Sequence, residues 1–361
     1  MDIRDILLIH FKKYPKMQIQ DMVKLIYQNE FAGGHMIKDE HASLEYLKEE
    51  LNSSLSSDTN IFENIGNGLL RLNLAPAKNT SIEPATINRM FVNTANSVKG
   101  SIQSFEEKLE ILKDCCRNLL PYSIKELEDY LKEYKNRGYP PVSHSDAYRM
   151  EYRPSYRIVK SVYRDFFKLF FRIDSLAKSK DTVLIAIDGN CGSGKTSLAA
   201  FIESVYDCNV FHMDDFFLKP ELKTKERLNE PGGNVDYVRF KEEVMNGLLS
   251  GESFKYRKYD CQTMTLGEWI NVDKKKINII EGSYSMHPTL VESYDLKVFL
   301  YVDEEIQLDR ILKRNGPVKL KRFINEWIPL ENKYFEALKI KDKCDLVYDM
   351  SSNPLGVINL E

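Results

Sequence analysis

The sequence predicts an α/β protein in two parts. Residues 179–361 read as a three-layer α/β/α domain with a parallel sheet, preceded by a mainly α-helical domain over residues 1–178. Three observations predict this. Before the junction, apolar side chains recur at three- and four-residue spacings. After Asp181, short β-branched or aromatic runs alternate with helical segments, the pattern of strands joined by crossover helices. Between the first such run and the helix that follows lies a glycine-rich octapeptide. At 361 residues the chain exceeds what one core usually organises, which is about 250 residues.

In the first part, "IRDILLIHF", "DMVKLIYQNEF" and "SLEYLKEEL" have the helical period. "IFENIGNGLLRLNLAP" reads as a short hairpin around Gly66–Gly68. "FEEKLEILKDCCRNLL" is helical again, and "SIKELEDYLKEY" opens on Ser123 three residues before Glu126, a capping-box spacing. A long helix is expected from about Ser155 to Ala177, closing in the polar "AKSKD" taken as the domain junction. The densest polar cluster is "HSDAYRMEYRPSYRIVKSVYR". There His144, Arg149, Arg153, Arg157 and Arg164 are interleaved with Tyr148, Tyr152, Tyr156 and Tyr163. Arginines among aromatics suit a phosphate-bearing ligand, although a solvated helix face with packed tyrosines accounts for the same residues. Pro154 interrupts any helix there and leaves Arg149 and Arg153 on an irregular segment. Glu30, His35 and His41 flank the Gly33–Gly34 break, with a spacing that fits no standard metal site.

In the second part the expected strands are "TVLIAI", "NVFHM", "INIIEG", "LKVFLYV" and "CDLVYDM". "GNCGSGKT" follows the first of them and matches G-x-x-x-x-G-K-[ST], with an apolar helix, "SLAAFIESVY", behind it. Glycines let backbone N–H groups turn inward around a phosphate, and the helix presents its positive end. Gly189, Asn190, Cys191, Gly192, Ser193, Gly194, Lys195, Thr196 and Ser197 therefore form the candidate nucleotide cradle. Lys195 would reach the β- and γ-phosphates, and the Thr196 hydroxyl would face Mg²⁺. Cys191 reads either as an oxidation-sensitive thiol or as a small packed one.

Ligands of such sheets collect at the carboxyl ends of the strands. "VFHMDDFFLKP" brings Asp214 and Asp215 there; one acid would act while Phe217 and its neighbour shape an acceptor pocket. Capping a helix or pairing with a lysine is the alternative for these acids. Glu281 ends "KINIIEG" as a metal ligand or water holder, with a capping or ion-pair role as the alternative.

The ordered series "GNCGSGKT", "HMDDFF", "GGNVDYVRF", "YRKYDC", "INIIEGSY" and "QLDRILKRNG" resembles the uridine kinase-like P-loop small-molecule kinases. That group includes uridine, nicotinamide riboside and pantothenate kinases and phosphoribulokinase. The resemblance covers about residues 182–350, leaves the N-terminal half unrecognised, and implies a P-loop NTPase fold. It implies an ATP- and Mg²⁺-dependent transfer of the γ-phosphate to a hydroxyl of a nucleoside or other polyol-bearing metabolite. By position, Asp214 takes the role of catalytic acid near the metal and Glu281 that of the strand-end metal ligand. Asp236 takes that of the sugar-gripping aspartate, and Tyr259 is an aromatic of the acceptor pocket. Arg310 and Arg314 fall on the lid segment, either being its arginine, with Lys313 between them. Met264 stands where uridine kinases carry a base-reading histidine, whose hydrogen bonds a thioether cannot reproduce.

Composition bounds the remaining readings. Hydrophobic residues make up 43% and charged residues 29%, enough for ordinary cores. A net charge of −3 argues against a nucleic-acid partner. No run approaches the roughly 20 apolar residues that span a bilayer, and the first residues lack the pattern of a signal peptide. Six scattered cysteines without a CxxC pair indicate neither a disulfide framework nor a zinc site. These point to a cytoplasmic protein acting on a small molecule, with homo-oligomerisation left open. A nucleotide-dependent switch that controls partner binding by the N-terminal domain is the competing reading, and a second enzyme fused upstream is a third.

Overall fold

In the computed structural model, residues 2–37, 39–54, 59–352 and 355 are described. The chain divides into two compact units, Met1–Phe171 and Arg172–Glu361.

The N-terminal unit is helical around a small antiparallel sheet. Strands β1 (Phe62–Gly66), β2 (Leu69–Asn73) and β3 (Tyr156–Lys160) pair in the order β1-β2-β3. Helices Ile3–Lys13, Ile19–Phe31, Ile102–Asn118 and Ile124–Asn136 form its core, with Leu7, Leu25, Phe105 and Leu127 fully buried. Each such side chain contributes about 1.5–3 kcal/mol by leaving water. The hairpin around Gly66–Gly68 forms as the sequence suggests. The long helix expected from Ser155 does not. Residues 156–160 form β3, followed by two helices, Ser161–Asp165 and Phe167–Ser179. The reason is tertiary: "YRIVK" alternates its faces and bonds to β2, a partner more than 80 positions earlier that no local period reveals. Helix Asp146–Tyr152 stops at Arg153, which takes the left-handed conformation just before Pro154.

The C-terminal unit is α/β. Strands β4 (Val183–Gly189) and β5 (Cys208–His212) come first, then a hairpin of β6 (Phe254–Asp260) and β7 (Thr265–Val272). Strands β8 (Ile277–Glu281), β9 (Leu296–Tyr301) and β10 (Leu346–Asp349) complete it. The main sheet is parallel, with order β10-β9-β4-β8-β5. All seven residues of β4 are buried, as a central strand covered on both faces requires. Helix Lys195–Glu203 packs on one side through Leu198, Phe201 and Ile202. Leu184 and Ala186 of β4 belong instead to a cluster with Tyr334 and Ile340. The β6–β7 hairpin is not apparent in the sequence pattern, because its residues are half-exposed and charged.

Candidate functional site

The glycine-rich loop leaves the carboxyl end of β4, the strand between β8 and β9. Gly189 has φ 144°, and a Cβ there would lie 1.9 Å from the Leu300 carbonyl oxygen of β9. Only glycine fits so close a backbone approach. The loop then turns through left-handed Gly192 and Gly194 into helix Lys195–Glu203, whose N-terminus no side chain caps. Its first N–H groups and positive end are thus left facing the loop. Ser193 Oγ is buried there without a hydrogen-bond partner. Lys195 Nζ donates to the carbonyls of Gly189 and Asn190 at 2.8 and 3.0 Å, and to Ser283 Oγ at 3.2 Å. Ser197 is exposed on the same first turn.

The acids meet this loop from neighbouring strand ends. Thr196 Oγ1 donates to Glu281 Oε1 at 3.1 Å. His212 Nδ1 lies 2.5 Å from the same oxygen, because β5 and β8 hold His212 and Glu281 in register. That hydrogen bond raises the pKa of His212 against the opposing effect of burial. Asp214 follows β5 in the one-turn 3₁₀ segment Met213–Phe216. Loss of hydration around its carboxyl raises its pKa; Lys195 opposes this, while Glu281, Glu331 and Asp215 add to it. Lys195, Thr196, Glu281 and Asp214 are thereby brought to one sheet edge.

Asp215 turns to a lysine instead, with Lys258 Nζ 2.9 Å from Oδ2. Phe217 bridges to Val235. Asp236 is 6% exposed and caps the turn Tyr237–Phe240, accepting from the Arg239 N–H at 3.1 Å. Its own N–H donates to the Phe216 carbonyl at 2.7 Å, which ties this cap to the Asp214 segment. Tyr259 is buried on β6. Met264 sits 61% exposed in the β6–β7 turn, with φ 56°. Arg310 reaches the loop: Nη1 donates to the Gly192 carbonyl at 3.2 Å and Nη2 to that of Met350 at 2.6 Å. Arg314 is exposed and bonds its neighbour Asn315. The segment carrying both arginines breaks at Gly316, with φ 77°, before Pro317.

Several further residues, not among the candidate site residues of the sequence, serve the loop. Glu331, on helix Ile328–Leu338, accepts from the Cys191 N–H at 2.9 Å and from Ser283 Oγ at 2.6 Å. Gln307 Nε2 donates to the Cys191 carbonyl at 2.9 Å. Asp188 is fully buried and accepts from the N–H groups of Gly189 and Met286 and from the Tyr334 hydroxyl. Burial lifts its pKa to about 6. Burial also raises the pKa of the Cys191 thiol, with Glu331 adding to the effect.

Residues 184–317 match the Phosphoribulokinase / Uridine kinase family. Among solved structures, one similar chain is named a possible uridine kinase, from Bacillus stearothermophilus. It shares 24% identity over 50% of this chain and 100% of its own, with a TM-score of 0.37. Another, a fructose transport system kinase candidate from Silicibacter sp., shares 20% identity over 52% of this chain and 98% of its own, with a TM-score of 0.39. No curated protein matches the chain. Among the described residues no helix is long and apolar enough to cross a membrane.

Proposed function

We propose that the C-terminal unit is a kinase that transfers the γ-phosphate of ATP to a hydroxyl of a small molecule, a nucleoside or another polyol-bearing metabolite. One observation carries this reading. The loop lysine, the loop threonine with its strand-end glutamate, and an acid of raised pKa converge at the carboxyl edge of one parallel sheet.

Such transfer asks little covalent chemistry of the protein; it needs positioning and neutralisation of charge on the phosphate oxygens. Loop N–H groups and Lys195 supply positive potential, and Arg310, bonded to the Gly192 carbonyl, adds a cation on the lid side. Arg314, exposed on the same lid segment, is the other candidate for closing over the phosphates. Thr196, Glu281 and Asp214 are an all-oxygen set that fits Mg²⁺, which would draw charge from the phosphate oxygens when bound. Mg²⁺ usually takes one or two carboxylates, substrate phosphates and water rather than a full protein cage. Among the described residues no three His, Cys, Asp or Glu side chains form such a cage. Asp214 would accept the proton of the attacking hydroxyl, its raised pKa bringing it nearer the operating pH. Asp215, Phe217, Asp236 and Tyr259 would line the acceptor side. Met264, exposed in its turn, replaces the base-reading group and speaks for an acceptor other than uridine.

ADP release measured with nucleosides, sugars, vitamins and amino alcohols tests the proposal. One acceptor class should stimulate wild-type turnover, and Asp214→Asn should lower it by about 10²–10⁴-fold while ADP still binds. ATP turnover that no acceptor stimulates would overturn the kinase reading in favour of a nucleotide switch.

A further inference from the structure

The N-terminal unit carries its own cavity, of about 900 Å³, within the range of small-molecule sites. Its floor is one face of the three-stranded sheet. Residues directly opposite on paired strands share a face, and so do residues two apart. The register Glu63↔Arg71 and Asn73↔Tyr156 therefore sets Glu63, Arg71, Asn73 and Tyr156 side by side. One wall is aromatic: Tyr152 lies 5.0 Å from Tyr14 and 4.8 Å from Tyr148 between ring centroids. Lys78 and Arg153 are exposed residues of its lining.

Arg71 is 1% exposed and always charged. Its Nε and Nη2 donate to Gln28 Oε1 at 3.2 and 2.9 Å, and its Nη1 donates to Glu63 Oε2 at 3.2 Å. These are three bonds from a fork of five donors. Its Cζ lies 4.6 Å from the centre of the Tyr156 ring, which fixes the plane of the guanidinium. Glu63 is already shared, holding Lys13 Nζ at 2.7 Å and the Tyr14 hydroxyl at 2.6 Å. With Lys13, Arg71, Lys78 and Arg153 set against Glu63 and Glu151, the lining keeps a positive excess. Arg153 holds its charge there from a left-handed backbone, φ 44°, that a non-glycine residue adopts at a cost.

We infer that this cavity binds a small molecule carrying an oxyanion, phosphate or carboxylate, on a planar ring. Arg153 and Lys78, the exposed cations of the lining, take the anion end in charge-assisted bonds, the buried Arg71 charge lies behind them, and the tyrosine wall stacks on the ring. The inference is independent of the chemistry of the C-terminal unit. Of the arginines singled out in the sequence, only Arg153 joins this site. Arg149 and Arg164 pair with neighbouring aspartates, and Arg157 is buried against Glu50.

The aromatic sulfonate 8-anilinonaphthalene-1-sulfonate is a suitable probe, titrated by fluorescence into the full-length protein in the presence of saturating ADP. One saturable site is expected. Arg71→Met should weaken it by roughly tenfold or more. Because a buried change can unfold the unit, Arg153→Asn and Tyr152→Leu serve as surface variants, each checked for unaltered circular dichroism. A loss of about threefold is expected for either. Displacement by uridine 5′-monophosphate but not by uridine assigns phosphate, and displacement by orotate but not by uridine assigns carboxylate. Displacement by uridine as strong as by either anion overturns the inference. So does a probe whose affinity neither surface variant changes.

Discussion

Glu331 fastens the glycine-rich loop from a helix far along the chain, so Glu331→Ala is an informative perturbation. Truncation removes the acceptor of two hydrogen bonds, from the Cys191 N–H and from Ser283 Oγ. Ser283 keeps an alternative, since its hydroxyl already lies 3.2 Å from the Gly189 carbonyl. The buried Cys191 N–H loses its acceptor, and such a group costs about 1–3 kcal/mol. For a unit of this size, each kcal/mol lowers the midpoint by roughly 2–4 °C. Thermal unfolding should therefore move down by a few degrees or more, and ADP affinity should fall because the loop is no longer held in shape. Glu331→Gln retains one carbonyl acceptor for Cys191, and Ser283 can then accept from the new amide. It should recover most of the loss. A wild-type midpoint and wild-type ADP affinity for Glu331→Ala would refute the idea that this carboxylate shapes the loop.

Two further outcomes follow from geometry and charge. Gly189→Ala drives a Cβ to 1.9 Å from the Leu300 carbonyl at a positive φ, so β4 and β9 must separate. Soluble expression should fall sharply, and any protein recovered should show lowered urea midpoints and no measurable ADP binding by calorimetry. In the N-terminal unit, burial depresses His10 from 6.5 to about 4, with the nearby Arg71 charge adding to the shift. The folded state resists protonating this ring, so its contribution is intact above pH 6.5 and is lost as the pH falls toward 4. Urea unfolding across that window should show wild-type stability declining with acid, and His10→Gln should flatten the decline; equal slopes for the two proteins would exclude His10 as its source.

What the sequence made legible was whatever it encodes locally. Of the five strands of the parallel sheet, β4 and β8 stand out most, because strands covered on both faces read as apolar runs, as "VLIAI" does. The loop is legible because glycine, lysine and threonine at fixed spacing have few other uses. The sequence predicts helix over β3 because what makes it a strand, the edge of β2, lies elsewhere in the chain. Glu331 is illegible for the same reason: an acid in "IPLENKYF" has no local mark, and only the fold carries it to Cys191. Asp236 is legible by motif, and its Oδ1 also caps the turn Tyr237–Phe240, a contact the motif does not reveal.

The strand order has a consequence for how the chain is made. Synthesis delivers "GNCGSGKT" early, yet the strands that flank β4, namely β8 and β9, begin only at Ile277 and Leu296. A nascent chain that has emerged as far as Val272 carries every loop residue and neither flanking strand. Contacts of such wide sequence separation form slowly and leave apolar strands uncovered in the meantime. The glycine-rich loop is therefore one of the last features of its unit to acquire a shape, although its residues are among the first of that unit to be translated.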